Sequence, residues 1–185
     1  MSVLYEDLRI ETSAIAQDSI PALDVTDLRY RRHYFLRRSI ATLVEFAEAL
    51  RLLNDCSDFS DVRSGFDKEV IDRWCEGINF FHENEGFLER IRNDTGGHFG
   101  PKAAAYAVAN LNPGAVGKMQ VEDEDRTIHL HFAGEIAATA ILRHLRGQST
   151  EEGFGALLKI ALLGYRHATT CVHCLAVTYL WKRFG

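Results

Sequence analysis

The chain has 185 residues, of which 46% are apolar and 25% charged. That is the make-up of one folded globular domain, and it excludes disorder over most of the length. With 3 Pro and 14 Gly it is neither collagen-like nor proline-rich. A formal charge of -5 argues against a protein that coats nucleic acid by bulk electrostatics, though a local basic site is compatible with it.

The opening residues, MSVLYEDLRIETSA, contain no basic stretch followed by an apolar run, so no secretion signal is expected. Cys56, Cys75, Cys171 and Cys174 are too few for a disulfide scaffold, and a reducing cytoplasmic home is expected. Residues 1–27 are weakly patterned and read as a short helix and an extended N-terminal arm, because Pro21 disfavours helix at the residue before it. Residues 28–54 carry a helical period: Leu36, Ile40, Leu43, Val44, Ala47 and Leu50 form one apolar stripe. Ser64 with Asp67 fits a capping box for a second long helix over 66–93. That helix carries Val70, Ile71, Trp74, Ile78, Phe81, Leu88 and Ile91, and its arc is widened by Phe80 and Phe87. Two such helices with a short connection should pack antiparallel. The width of the second arc exceeds what one partner helix covers, which predicts a homodimer.

Gly96-Gly97 then breaks the chain, and a third helix is expected from Pro101. Ala104, Ala107, Val108 and Leu111 give it an apolar face before Asn112-Pro113-Gly114 stops it. Over 118–132 the period becomes two, with Met119 and Val121, an acidic turn at 123–125, then Ile128, Leu130 and Phe132; this predicts a β-hairpin. A helix over 134–145 follows. Ser149 and Glu152 form a capping box that opens a last long helix over 149–183. Its apolar run is interrupted by Lys159, Arg166, His167 and His173, which makes it a buried helix rather than a membrane span. The expectation is one domain over 1–185, an all-α helical bundle with an antiparallel long helix pair and a small β-hairpin insertion.

Chemistry concentrates in Ile91-Arg92-Asn93-Asp94-Thr95-Gly96-Gly97-His98-Phe99. Arg92 ends one helix and His98 stands just before the next, with two glycines that let the backbone turn between them. Arg92 can also be read simply as a cation at the negative end of a helix dipole, and His98 as a packing or capping residue.

Arginine, a small polar residue, a few positions and then histidine, beside a long antiparallel helix pair, resembles the HEPN domain family. Here the pattern is Arg92-Asn93, four residues, then His98, and the resemblance spans residues 36–111. It implies a metal-independent endoribonuclease of the kind found in toxins and anti-phage defence. It also implies a dimer that brings two copies of Arg92, Asn93 and His98 into one cleft. The hairpin and the long last helix depart from a minimal four-helix unit of that family. The alternative is the same fold without catalysis, serving as a dimerisation or adaptor module.

Residues 29–38 hold Arg29, Arg31, Arg32, Arg37 and Arg38 among aromatic residues and no acid. Arg31, Arg32, Arg37 and Arg38 are candidate RNA contacts, because guanidinium groups grip phosphates while aromatic rings stack on unpaired bases; a solvated or internally paired basic face is the plainer reading. His129 and His131 share a face of the expected strand, a spacing zinc can use, but an exposed polar face explains them as well. His167, Cys171 and Cys174 lie on one side of the last helix, with His173 nearby, and there the plainer reading is burial of small thiols. No metal and no cofactor is expected. No phosphate-cradling glycine loop and no nucleophile elbow is present in the sequence.

Overall fold

Two long helices form the spine. α2 (Val25–Asn54) buries Leu36, Ile40, Leu43, Phe46 and Leu50, and α4 (Lys68–Thr95) buries Trp74, Phe81, Leu88 and Ile91. They run antiparallel: Arg37 reaches the Thr95 carbonyl, while Ala47, Leu50 and Asn54 share a cleft with Ile78, Phe81 and Glu85. This computed structural model describes residues 1–17, 19–20, 25–95, 100–111, 119–121, 128–145 and 149–184. The start of α4 differs from the expected capping box. Asp67 is the capping side chain, accepting from the Val70 N–H at 2.9 Å, while the Ser64 hydroxyl turns back to the Asp61 carbonyl.

The N-terminal region is more than an arm. Residues Ser2–Ala16 form a full helix, α1, which buries Leu8, Glu11, Ala14 and Ile15 against α2 and the last helix. The long C-terminal helix, α7 (Thr150–Phe184), opens on the expected reciprocal capping box. The Ser149 N–H donates to Glu152 Oε2 at 2.8 Å, and the Glu152 N–H donates to Ser149 Oγ at 3.3 Å. α7 enters the core through Leu157, Ala161, Ala168, Cys171 and Cys174. Two glycines permit the approach. A Cβ at Gly77 would collide with Cys171 Sγ, and one at Gly164 would stand 2.7 Å from Leu43 Cδ1.

This packing answers the question raised by the broad arc of α4. Phe81 and Ile91 face the core, and Phe80 stacks on His167 of α7 with ring centroids 4.6 Å apart. The Cys174 thiol lies 3.8 Å from the Val70 carbonyl. Within one chain α2 and α7 cover most of the arc, Ile71 remaining exposed, so Phe80, Phe81 and Ile91 do not require a second copy.

The expectation of a bundle with a β-hairpin insertion over 118–132 is corrected. The fold class is an all-α bundle, with seven helices among the described residues. Among the described residues between α5 (Pro101–Asn110) and α6 (His131–Leu142), two three-residue extended segments stand, Met119–Val121 and Ile128–Leu130, paired antiparallel. Such a pair is too short to form a layer of its own. Helix begins at His131, so His131 and Phe132 leave the alternation that was expected to carry them. The cause lies in the run that follows, Ala133 to Leu142, where alanines favour helix from its first turn. The expected turn at 123–125 lies outside the described residues. A short helix not expected from the sequence, α3 (Ser57–Arg63), presents Phe59 to Phe66 and Trp74. No helix of the described residues is long and apolar enough to cross a membrane.

Candidate functional site

Arg92 lies in the last turn of α4, half-buried, with Nε and Nη2 each 3.3 Å from Asn93 Oδ1. Both donors of the guanidinium fork thus bend onto the amide of the next residue. Among the described residues, no carboxylate ion-pairs with Arg92. Thr95 closes the helix, its hydroxyl donating to the Ile91 carbonyl at 2.8 Å. His98 and its neighbours 96, 97 and 99 lie outside the described residues. The chain is next described at Gly100, where a Cβ would stand 3.4 Å from Asp94 Oδ1 and 3.8 Å from the Asn93 carbonyl. Both stems of the motif segment therefore meet at the end of α4.

Beside Arg92 a groove of about 250 Å³ runs between α2 and α4, lined by Glu48, Arg51, Glu85 and Glu89 above Val44, Ala47 and Leu88. Three carboxylates against two guanidinium groups make its wall a poor track for a phosphate chain.

The basic run of α2 is largely occupied within the fold. Arg31 donates to the Ala14 carbonyl at 3.3 Å and to Gln17 Oε1 at 3.0 Å, and its guanidinium lies 5.2 Å from the Phe35 ring centre. Arg32 donates to the Gln17 carbonyl at 3.3 Å. Arg37 reaches the Thr95 carbonyl at 3.4 Å, and burial pushes its guanidinium below the ordinary range. Arg38 Nε lies 3.7 Å from Glu11 Oε1, with the arginine side chain 49% exposed. These side chains stitch α2 to α1 and to the end of α4. Tyr34 and Arg38 are the residues of the run that remain open to solvent along with Arg29.

Two buried groups in the same region carry shifted titrations. Burial raises the Glu11 carboxyl, an effect that the Thr42 hydroxyl and Arg38 offset in part. Burial pushes His33 down to about 4, helped by Arg29 and Arg37. His33 stacks on Phe154 with ring centroids 4.7 Å apart, and its buried Nδ1 has no hydrogen-bond partner.

The thiols of α7 are structural. Cys171 and Cys174 are buried, and burial, with Cys174 beside it, pushes the Cys171 thiol up to about 12. A thiol held protonated is a poor metal ligand, and His167 is stacked on Phe80. His129 belongs to the second extended segment and His131 opens α6, so the expected shared strand face is not built. Among the described residues, no group of three or more His, Cys, Asp or Glu is placed to hold a metal ion.

A cluster with no local signature in the sequence adjoins the motif. Asp94 Oδ2 accepts from Arg143 Nη1 at 2.7 Å and lies 2.6 Å from His144 Nε2. Its partners are 49 and 50 residues away in sequence, so no periodicity or spacing rule points to them. The fold and this site define the class: an all-α bundle whose polar chemistry gathers where α4 and α6 end. No family model, no curated protein and no solved structure matches the chain.

Proposed function

We propose that the protein is a metal-independent endoribonuclease of the HEPN type, a cytoplasmic homodimer acting in the manner of a toxin or an anti-phage defence enzyme. The observation that carries this reading is Arg92-Asn93 at the solvent-facing end of α4, with His98 following in the sequence after four intervening residues. RNA cleavage of this kind needs a base for the ribose 2′-OH, an acid for the leaving 5′-oxygen and a cation for the charge that builds on phosphorus-bound oxygens. Histidine serves as either proton carrier near neutral pH. Arg92 bonds two phosphoryl oxygens at once, and Asn93, already against the guanidinium, sets its direction. A two-fold dimer with the motifs facing one another supplies two histidines to one cleft. Tyr34 and Arg38 are the open residues of the basic run suited to stack on a base and hold a phosphate.

A second reading, a non-catalytic dimerisation or adaptor module, is favoured by the internal use of Arg31, Arg32 and Arg37 and by the carboxylates beside Arg92. The test is cleavage of single-stranded RNA in excess chelator, with 2′,3′-cyclic phosphate ends as the product. His98→Ala should lower the rate by about 10²–10⁴, and Arg92→Ala by about 10²–10³. Undiminished cleavage by His98→Ala puts the site elsewhere. A wild-type chain that neither binds nor cleaves RNA makes the adaptor reading the better one.

A further inference from the structure

Asp94 stands where a carboxylate is electrostatically disfavoured. It is in the last turn of α4, at the negative end of that helix dipole, and α6 ends against it with a second negative end. The backbone of α6 tightens as it finishes: the Arg143 N–H donates to the Ala140 carbonyl at 3.3 Å and the His144 N–H to the Ile141 carbonyl at 3.2 Å. That turn delivers the Arg143 guanidinium and the His144 imidazole to one oxygen, Asp94 Oδ2. Arg143 alone would neutralise the carboxylate. A histidine on the same oxygen is held instead in a defined tautomer, with Nε2–H donating to the carboxylate and the lone pair on Nδ1. Nδ1 is not among the buried atoms left without a partner, and among the described residues no group bonds it. A carboxylate that fixes the tautomer and supports the imidazolium formed later is the physical arrangement of a general base.

We infer that His144, held by Asp94 and flanked by Arg143, is a proton-transfer residue of the site at the end of α4. The inference rests on the nuclease reading and adds to each chain a proton carrier outside the Arg92–His98 motif. In the step assigned to it, Nδ1 takes the proton of the ribose 2′-OH. The O2′–P bond forms, the P–O5′ bond breaks, and the 5′-oxygen takes its proton from the histidine that the nuclease reading assigns as acid, which solvent then reprotonates. His144 then returns its own proton to solvent, leaving a 2′,3′-cyclic phosphate and a 5′-OH. Asp94 touches no substrate atom and acts as a positioning residue.

The test measures kcat and KM separately on a short single-stranded RNA in excess chelator, with melting temperatures of every variant. His144→Gln keeps an N–H donor for Asp94 but cannot carry a proton. It should melt like the wild type and cleave at least about 10²-fold more slowly. Asp94→Asn should lower kcat while KM and the melting temperature hold, a split that loss of packing alone does not produce. If Arg92→Ala is inactive while His144→Gln and His144→Ala cleave at the wild-type rate, the role of His144 is overturned and the nuclease reading stands. If the wild type does not cleave, and the imidazole signals of His144 do not move when RNA carrying 2′-deoxyribose is added, both are overturned.

Discussion

The two apolar clusters of this molecule are made of different material. The large one joins α1, α2, α4 and α7 through Trp74, Phe46, Phe81 and many leucines and isoleucines, and takes in Phe59 of α3 and Ile141 of α6. The small one, under α5 and α6, is Ala103, Ala107 and Ala140 with Ile136 beside them. A buried leucine or phenylalanine contributes about 1.5–3 kcal/mol and a buried methyl about 0.8, so the α5–α6 lobe is less firmly held at α5, which buries Ala103 and Ala107, than at α6, which sends Ile141 into the large cluster. α5 leaves Val108 66% exposed. The lobe is joined to the bundle by the packing of α6 on α4 and α7 and by the bonds from Arg143 and His144 to Asp94. The polar junction therefore lies on the border between a rigid body and one that opens at lower free energy.

The contrast is broken most severely at Trp74, which is 1% exposed and packs on Phe59 with ring centroids 5.2 Å apart. Trp74→Ala should lower global stability by about 3–5 kcal/mol, read by denaturant unfolding, with both clusters melting together. The next effect is pH-dependent and sits where α2 meets α6. His33 lines a cavity with Ala138, Ile141 and Phe154, and its folded pKa is lowered from 6.5 to about 4. The unfolded chain then binds the extra proton, so the contribution of neutral His33 is fully present above the unfolded pKa. It is lost as pH falls from about 6.5 to 4, to a total of about 3 kcal/mol. His33→Leu should flatten that part of the stability profile; a slope equal to the wild type between those limits would sink the assignment.

Ala107→Gly sharpens the comparison from the other side. It should cost about 1 kcal/mol and raise amide exchange through residues 101–110 while leaving residues 36–50 protected. Equal loss of protection in both would mean that the clusters open as one unit. The smallest effect is expected at Glu11, whose Oε2 is buried without a partner. Its carboxyl is raised in the folded state, so ionisation opposes folding. Glu11→Gln should raise the melting temperature slightly at neutral pH, and the gain should vanish as pH falls below the unfolded carboxyl range.

What could be read from the sequence follows the range of the forces involved. The stripe Leu36, Ile40, Leu43, Leu50 and the Ser149–Glu152 capping box are local, and both stand in the structure as expected. α1 exceeds the short helix expected within residues 1–27, because it is completed by burying Leu8 and Ile15 against elements far along the chain. The alternation expected over 118–132 stops at Leu130, because an alanine-rich helix claims His131 and Phe132. The basic run was legible as a cluster of charge but not as a set of stitches, because the acceptors at Ala14, Gln17 and Thr95 are backbone and amide groups with no sequence signal. At the site, Arg92 and Asn93 announce themselves by spacing. Asp94, Arg143 and His144 do not, since only the fold brings the ends of α4 and α6 together.

The notch at Gly77 that receives Cys171 also makes the molecule its own reporter of motion. Cys56 and Cys75 are exposed thiols, while Cys171 and Cys174 are buried on the inner face of α7. An alkylating reagent therefore meets two fast sites and two that react only in molecules whose last helix has lifted away. The slow pair records, in covalent form, how often and for how long α7 leaves α4.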